Sequence, residues 1–195
     1  MTEGTRERFL TATAKLLQAR GYRGTSLNAI LTESGAPRGS LYYHFPGGKE
    51  ELVREATQRE VQFISEYLAT AFRECTVPAE AVRAYVEGAR DHTRTGGFLL
   101  GCPVASLVLD SPEASSSIRD ICEEALEEWH RLLRDGIAAG GVPIARADSL
   151  ATLVLTSVEG ALIVARSQRD TQPLDTVAEE LASAVSAASK QTEGV

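Results

Sequence analysis

The residues best suited to chemistry in this sequence lie close together near position 40. Arg38 is followed by Ser40, Tyr42, Tyr43 and His44, so a cation, a hydroxyl, two phenols and an imidazole fall within seven residues. A guanidinium in such a cluster can pair with O6 and N7 of a guanine, and it can equally bind a phosphate. The other side chains hydrogen-bond to phosphates and base edges. This combination predicts a surface that contacts DNA.

The segment before the cluster has the pattern of a short helix that ends in a tight turn. Thr25 and Ser26 offer N-cap hydroxyls, apolar residues at 27, 30 and 31 share one helical face, and Gly35 with Pro37 ends the helix. Thr25 is also a candidate for a phosphate contact through its hydroxyl or nearby amides.

The cluster itself is predicted to form a second short helix from about Arg38 to His44, with Leu41 and Phe45 facing inward. Two short helices joined by a glycine-containing turn form a helix-turn-helix, which places its second helix in the major groove. Gly39 would let the backbone approach DNA closely, although a glycine at a helix start also has a purely structural explanation. An earlier apolar helix should complete a three-helix domain.

These motifs resemble the TetR family of one-component transcriptional regulators. The resemblance is carried by the turn at Gly35, by residues 39–45 (GSLYYHF) and by residues 49–52 (KEEL), and it covers residues 5 to about 56. Residues 45–49 and 101–106 also look like a subgroup whose members respond to antibiotics or flavonoid-like aromatics.

The resemblance implies an all-α fold with two parts. Residues 1–47 would form the three-helix DNA-binding domain, and residues 48–195 would form a larger helical domain for ligand binding and dimerisation. The implied partners are a double-stranded DNA operator, a small-molecule inducer and a second copy of the chain.

The residue chemistry and the resemblance together nominate eight DNA contacts. Tyr42 and His44 are expected at the DNA backbone and Tyr43 on a thymine methyl group, unless one of the two tyrosines packs against the first helix. Lys49 would place a charge near a phosphate, although one residue more than in the commonest family form separates it from Phe45. The predicted contacts are Thr25, Arg38, Gly39, Ser40, Tyr42, Tyr43, His44 and Lys49.

The net charge of −7 over 195 residues is distributed unevenly. Residues 1–54 carry eight basic and five acidic side chains, a net charge of +3, which leaves −10 for the remainder. Since affinity for DNA depends strongly on neutralising phosphates, only the N-terminal part is suited to bind it.

Other classes of protein find no support in the sequence. No run approaches the roughly 20 apolar residues of a membrane span and no signal pattern opens the chain, so a cytoplasmic protein with no membrane partner is expected. Cys75, Cys102 and Cys122 fit no zinc or redox spacing, and neither a metal nor a cofactor is expected. Because Tyr43 stands where a phosphate loop needs glycine and no catalytic motif occurs, an enzyme is not expected.

The C-terminal part is predicted to be helical throughout, and one of its helices suggests a partner subunit. Residues 150–166 are apolar on nearly every side, and a helix of that kind must be covered on every side. Small residues there and in residues 174–188 would allow a symmetric four-helix contact between two chains, whereas burial within the monomer is the alternative. The small residues are Ala151, Ser157, Gly160, Ala161 and Ala165.

The same part contains scattered aromatic, polar and sulfur-containing residues that suit the wall of a small-molecule cavity, although such residues also occur in ordinary cores. The candidates are Tyr67, Tyr85, His92, Phe98, Cys102, Ser106, Cys122 and Trp129. Cys102 is either redox-responsive, as a thiol near a helix start, or an inert buried thiol.

The resulting prediction is a ligand-responsive repressor that a small aromatic or amphipathic molecule releases from its operator. Within the same fold, a transcriptional activator or a redox-responsive regulator is the alternative. In another class of function, the helical cavity would serve an enzyme or a small-molecule carrier.

Overall fold

The computed structural model describes residues 4–110 and 116–190, and these ranges fold into helices and connecting turns without a β-strand. The predicted all-α fold is therefore confirmed. The helices are α1 (Thr5–Arg20), α2 (Leu27–Ser34), α3 (Leu41–His44), α4 (Gly48–Glu74), α5 (Pro78–Thr95), α6 (Pro103–Asp110), α7 (Ser116–Ala139), α8 (Ile144–Gln168) and α9 (Gln172–Lys190). A 3-10 turn over Arg38–Ser40 leads directly into α3.

The helices divide into two compact units, which differ from the two predicted domains. The first unit comprises the described residues of Met1–Gln62 and Gly101–Ala125, and the second comprises those of Phe63–Leu100 and Leu126–Val195. The first unit thus contains α6 and the beginning of α7, which the sequence assigned to the ligand-binding domain. The functional division near residue 47 stays a prediction.

The core of the first unit holds the helix-turn-helix together. Phe9 of α1, Ile30 of α2, Leu41 of α3 and Leu52 of α4 are all buried in one apolar cluster with Phe45. The rings of Phe9 and Phe45 meet edge to face, with centroids 6.1 Å apart. Because each helix of the N-terminal segment contributes to this cluster, burial of apolar surface holds the two short helices against α1 and α4.

The second unit is built around packing of α5 against α9 and α8. Trp129 of α7 is only 1% exposed, and its indole N–H donates to Ser65 Oγ of α4 at 3.1 Å. This bond satisfies the one polar group of a side chain that otherwise packs as a large apolar residue.

Helix α8 buries three of its five small residues inside its own subunit, which corrects the prediction that these three form the contact between subunits. Ser157 is half-buried and Gly160 is exposed, so the prediction stays open for these two. Ala161 is only 5% exposed, and Ala151 and Ala165 are fully buried. Ile163, in contrast, is 59% exposed, and Leu153 is also exposed. The apolar surface that α8 presents outside is therefore made mainly by larger side chains, with Gly160 among them.

Helix α8 is also the one helix, within residues 4–110 and 116–190, that is long and apolar enough to cross a membrane. Length and composition alone are weak support for a membrane span, because the core helices of soluble proteins have the same features.

Candidate nucleic-acid interface

The first helix of the motif begins and ends at residues whose side chains or backbone suit those positions. Ser26 is the N-cap of α2, and its hydroxyl accepts from the Ala29 N–H at 3.1 Å. Gly35 ends the helix with a left-handed φ of 56°, a conformation that favours glycine. Arg8 of α1 donates through Nε and Nη2 to the Ser34 carbonyl at 2.9 and 2.6 Å, which satisfies a free carbonyl at the helix end.

The second helix of the motif has the predicted extent but begins as a 3-10 turn. The Pro37 carbonyl accepts from the Ser40 amide at 3.0 Å and from the Ser40 hydroxyl at 2.7 Å. Leu41 and Phe45 are buried, as their spacing predicted. The Ser40 hydroxyl proton is thus used within the turn, and its oxygen remains as an acceptor.

The outward side chains of this helix are available to a partner. Tyr42 is 62% exposed and Tyr43 is 82% exposed, so neither tyrosine packs in the interior. Arg38 is exposed, and the half-buried His44 ring meets the Tyr43 ring edge to face at 5.0 Å. The alternative in which one tyrosine packs against the first helix is therefore wrong for this structure.

Gly39 is not required by the packing of the protein. A Cβ atom built at this position has no neighbouring atom within 4 Å, and Gly39 is not among the glycines with a positive φ. The fold therefore leaves room for a side chain at this position, so packing does not explain the glycine.

The Thr25 side chain is not available to a phosphate, which corrects the expectation for its hydroxyl. Thr25 is fully buried, and its Oγ1 donates to the Gly21 carbonyl at 2.7 Å. Its amide donates to the Tyr22 carbonyl at 3.2 Å. Thr25 therefore fixes the loop before α2, while the neighbouring Ser26 caps the helix.

Lys49 is also engaged within the protein. Its Nζ donates to the Tyr22 carbonyl at 2.8 Å and lies 3.9 Å from the centroid of the Tyr22 ring. Partial burial lowers the pKa of Lys49, and the nearby Asp110 carboxylate opposes that shift. Since an ammonium has three donors, Lys49 can bind a phosphate only in addition to this structural role.

The pattern of ion pairs and hydrogen bonds adds two arginines to the candidate DNA contacts, and the sequence analysis did not single these two out. Among the lysines and arginines of residues 4–62, only the side chains of Arg20, Arg23 and Arg38 have no hydrogen bond or ion pair with another described residue. All three are exposed. The glycines at 21 and 24 that border Arg20 and Arg23 were the only sequence signal for a special loop.

The eight ligand candidates are split between the two units. Tyr67, Tyr85, His92, Phe98 and Trp129 belong to the second unit, and Cys102, Ser106 and Cys122 belong to the first.

The five candidates in the second unit differ in exposure. Tyr85 and Trp129 are buried and Phe98 is half-buried, whereas His92 is exposed. Tyr67 is 40% exposed, and its hydroxyl donates to the Ala84 carbonyl at 3.0 Å. Partial burial, together with nearby acidic groups, raises the pKa of this phenol.

The three candidates in the first unit have local partners or are buried. Cys102 Sγ accepts from the Ala105 amide at 3.4 Å, and the Ser106 hydroxyl donates to the Pro103 carbonyl at 2.9 Å. Burial raises the pKa of the Cys122 thiol, which lowers its thiolate fraction and hence its reactivity. Within the described ranges, no group of three or more His, Cys, Asp or Glu residues could hold a metal ion.

Comparison with known families places both parts of the chain among transcriptional regulators. Residues 9–56 match the model of bacterial regulatory proteins of the tetR family. Residues 78–180 match the C-terminal domain of LmrA/YxaF-like transcriptional regulators.

Individual proteins show the same similarity over nearly the whole chain. The HTH-type transcriptional regulator LmrA of Bacillus subtilis is 36% identical over 170 residues, which are 87% of this chain and 90% of LmrA. YxaF of the same organism, also named an HTH-type transcriptional regulator, is 30% identical over 91% of this chain and 93% of its own length. A TetR transcriptional regulator from Legionella pneumophila has the same fold, with a TM-score of 0.85 at 23% identity over 93% of this chain and 97% of that one.

The different environments of Lys49 and Arg38 lead to a prediction about stability without DNA. Lys49→Met keeps the aliphatic stem but loses the bond to the Tyr22 carbonyl and the cation–π contact, so the free energy of unfolding should fall by about 1–2 kcal/mol. Arg38→Ala removes an exposed side chain that pairs with no other described residue, and it should change the free energy of unfolding by less than about 0.5 kcal/mol. Urea denaturation measures both, and equal stabilities would contradict the structural role of Lys49.

Proposed function

Because the chain belongs to the TetR family of bacterial regulatory proteins, we propose that it is a homodimeric repressor that a small aromatic or amphipathic molecule releases from its operator. The observation that carries this proposal is the second helix of the motif. Its inner face is fixed by Leu41 and Phe45 in the core, and its outer side chains are exposed.

In the proposed complex, the 3-10 turn and α3 lie in the major groove. Arg38 pairs with a guanine, and Tyr43, the most exposed of the aromatic side chains there, contacts a thymine methyl group. Tyr42, His44 and the Ser40 oxygen face the phosphates. A side chain at position 39 would project into space that no protein atom fills, and in the proposed complex DNA occupies that space. Glycine therefore lets the backbone approach DNA closely.

A homodimer accounts for the exposed apolar face of α8. Leu153, Gly160, Ile163 and Val164 are exposed and recur at spacings of three, four or seven residues, which places them along one side of the helix. A second copy of the chain would cover this face, and glycine would allow the helices to approach closely. Two subunits would then present two copies of α3 to successive major grooves.

Ligand response follows from linkage in this proposal. Helices α4 and α7 each have residues in both compact units. A ligand that binds more tightly to one arrangement of these helices than to another shifts the population between them. It releases DNA if the arrangement it favours no longer matches the spacing of the two half-sites.

Variants of the motif test the proposed DNA contacts. Gly39→Ala should weaken operator binding at least about tenfold by obstructing DNA, while the free energy of unfolding stays the same or rises by up to about 1 kcal/mol. Arg38→Ala should cost about 1–3 kcal/mol of binding and relax the preference at one base pair per half-site. The control is Arg131→Ala, which removes an exposed cation from α7 and should leave binding unchanged. Fluorescence anisotropy measures the operator affinity of the three variants. Wild-type affinity in both Gly39→Ala and Arg38→Ala would refute the proposed DNA-binding surface.

Assembly is tested by placing a charge on the α8 face. Ile163→Glu should bury an unpaired carboxylate at the two-fold contact and shift the chain to monomers, at a cost of several kcal/mol, about 3–5. Val77→Glu changes another exposed aliphatic residue of the second unit and should leave a dimer. Sedimentation velocity distinguishes the two outcomes. A dimeric Ile163→Glu variant would move the interface away from this face.

Trp129 allows a direct test of ligand response, because it is the only tryptophan of the chain. Among aromatic antibiotics and flavonoids, a compound that quenches its fluorescence should weaken operator binding, and the operator should weaken binding of that compound by the same factor, typically about 5–150-fold. Both affinities are measured by titration. A compound that binds tightly and leaves operator affinity unchanged would rule out binding near Trp129 as the switch.

A further inference from the structure

The loop between α1 and α2 is held by two helices that are distant from it in sequence. It begins at Gly21, whose φ of 67° lies in the left-handed region and whose amide donates to the Leu17 carbonyl at 2.9 Å. It ends at Thr25, just before the N-cap of α2. Any displacement of this loop therefore displaces the start of the helix-turn-helix.

Helix α6 holds the loop through its last residue. The Arg23 amide donates to Asp110 Oδ2 at 2.6 Å, although 87 residues separate the two positions. A Cβ atom on Gly21 would lie 2.6 Å from the same oxygen and 2.9 Å from Asp110 Cγ. Glycine is thus required at position 21 both for its φ and for the close approach of Asp110.

Packing fixes the position of Asp110 as well. Val104 and Leu107 of α6 are buried and α6 packs against α1. Asp110 follows Leu107 by about one helical turn, so it lies on the same side of α6 as that buried residue. The carboxylate is therefore supported by a helix whose apolar face cannot rotate without exposing buried surface.

Helix α4 holds the loop from its own first turn. Lys49 Nζ donates to the Tyr22 carbonyl, and the Asp110 carboxylate is near enough to favour the charged form of this lysine. Gly48, the residue before it, lies against the Tyr42 ring, since a Cβ atom there would be 3.7 Å from Tyr42 Cε1. Contacts thus run from the loop through the start of α4 to the outward face of α3.

We infer that Asp110 is a positioning residue for DNA binding: its bond to the Arg23 amide holds the loop so that the Arg23 side chain binds a phosphate beside the groove occupied by α3. This inference rests on the proposed function. The Arg23 side chain is exposed and has no partner among the described residues, as a phosphate contact requires.

A purely electrostatic role of Asp110 and a positioning role predict opposite changes in DNA affinity when the carboxylate is removed, which makes the inference testable. Removing a carboxylate from the DNA-binding unit reduces repulsion of phosphates and should tighten binding. If Asp110 positions Arg23, its removal should weaken binding instead.

The experiment compares Asp110→Ala with Asp120→Ala in the full-length chain, on an operator selected from random DNA. Asp120 lies on α7 in the same unit, is exposed and has no hydrogen bond or ion pair with a described residue, so both variants lose one negative charge. Asp110→Ala should weaken operator binding about tenfold. It should also lower the salt slope by about one per subunit. Asp120→Ala should bind as the wild type does or slightly more tightly.

A double-variant comparison and amide exchange distinguish a positioning role of Asp110 from a general loss of structure in the Asp110→Ala variant. Arg23→Ala should cause a similar loss, and the double variant Asp110→Ala/Arg23→Ala should lose little more than either single variant, because both remove the same contact. Amide exchange at Arg23, followed by NMR, should be faster in Asp110→Ala than in Asp120→Ala. If Asp110→Ala does not fold, Asp110→Asn, which keeps an acceptor but no charge, should show a smaller loss in the same direction.

The inference is overturned if Asp110→Ala binds the operator as tightly as Asp120→Ala, or if the losses of Asp110→Ala and Arg23→Ala add fully. If the wild-type chain selects no DNA sequence, the proposed function fails and this role falls with it. In that case the exchange rate at Arg23 still decides whether Asp110 fixes the loop.

Discussion

Burial of Leu41 and Phe45 is the constraint on which the proposed DNA-reading surface depends. Helix α3 has only four residues, and a helix of that length has no stability of its own in water. Its orientation is therefore set by the apolar cluster that its two inward residues share with α1, α2 and α4. Since that anchoring sets the position of every outward side chain, the motif can present two exposed tyrosines and an arginine that do not themselves contribute to the fold.

Charge pairing complements this packing. Arg6, Lys15 and Arg59 form ion pairs with acidic residues of neighbouring helices, and Arg8 satisfies the end of α2, so these cations serve the fold. Arg20, Arg23 and Arg38 are exposed, and their side chains pair with no other described residue. An acidic protein can therefore present a local cationic surface, because the relevant quantity is the set of charges that the fold does not neutralise.

Local patterns predicted the local structure well, and contacts distant in sequence were not predictable in the same way. The N-cap at Ser26, the turn at Gly35 and the inward pair Leu41 and Phe45 depend on spacings of a few residues, which the sequence displays directly. The bond between Asp110 and the Arg23 amide depends on how α6 packs, and no spacing reveals it. Three alanines of α8, Ala151, Ala161 and Ala165, were wrongly predicted to contact a partner for a related reason, since a helix apolar on all sides does not indicate which side faces its own subunit.

The central claim is that the exposed face of α3 reads DNA in a two-fold symmetric assembly. Selection of binding sites from random double-stranded DNA by the full-length chain tests it most directly. We expect enrichment of an inverted repeat whose half-sites are centred about 10 base pairs apart or a multiple of that distance, because two copies of α3 must enter major grooves on one face of the duplex. Recovery of sequences with no common motif, or of a single unrepeated site, would contradict the claim.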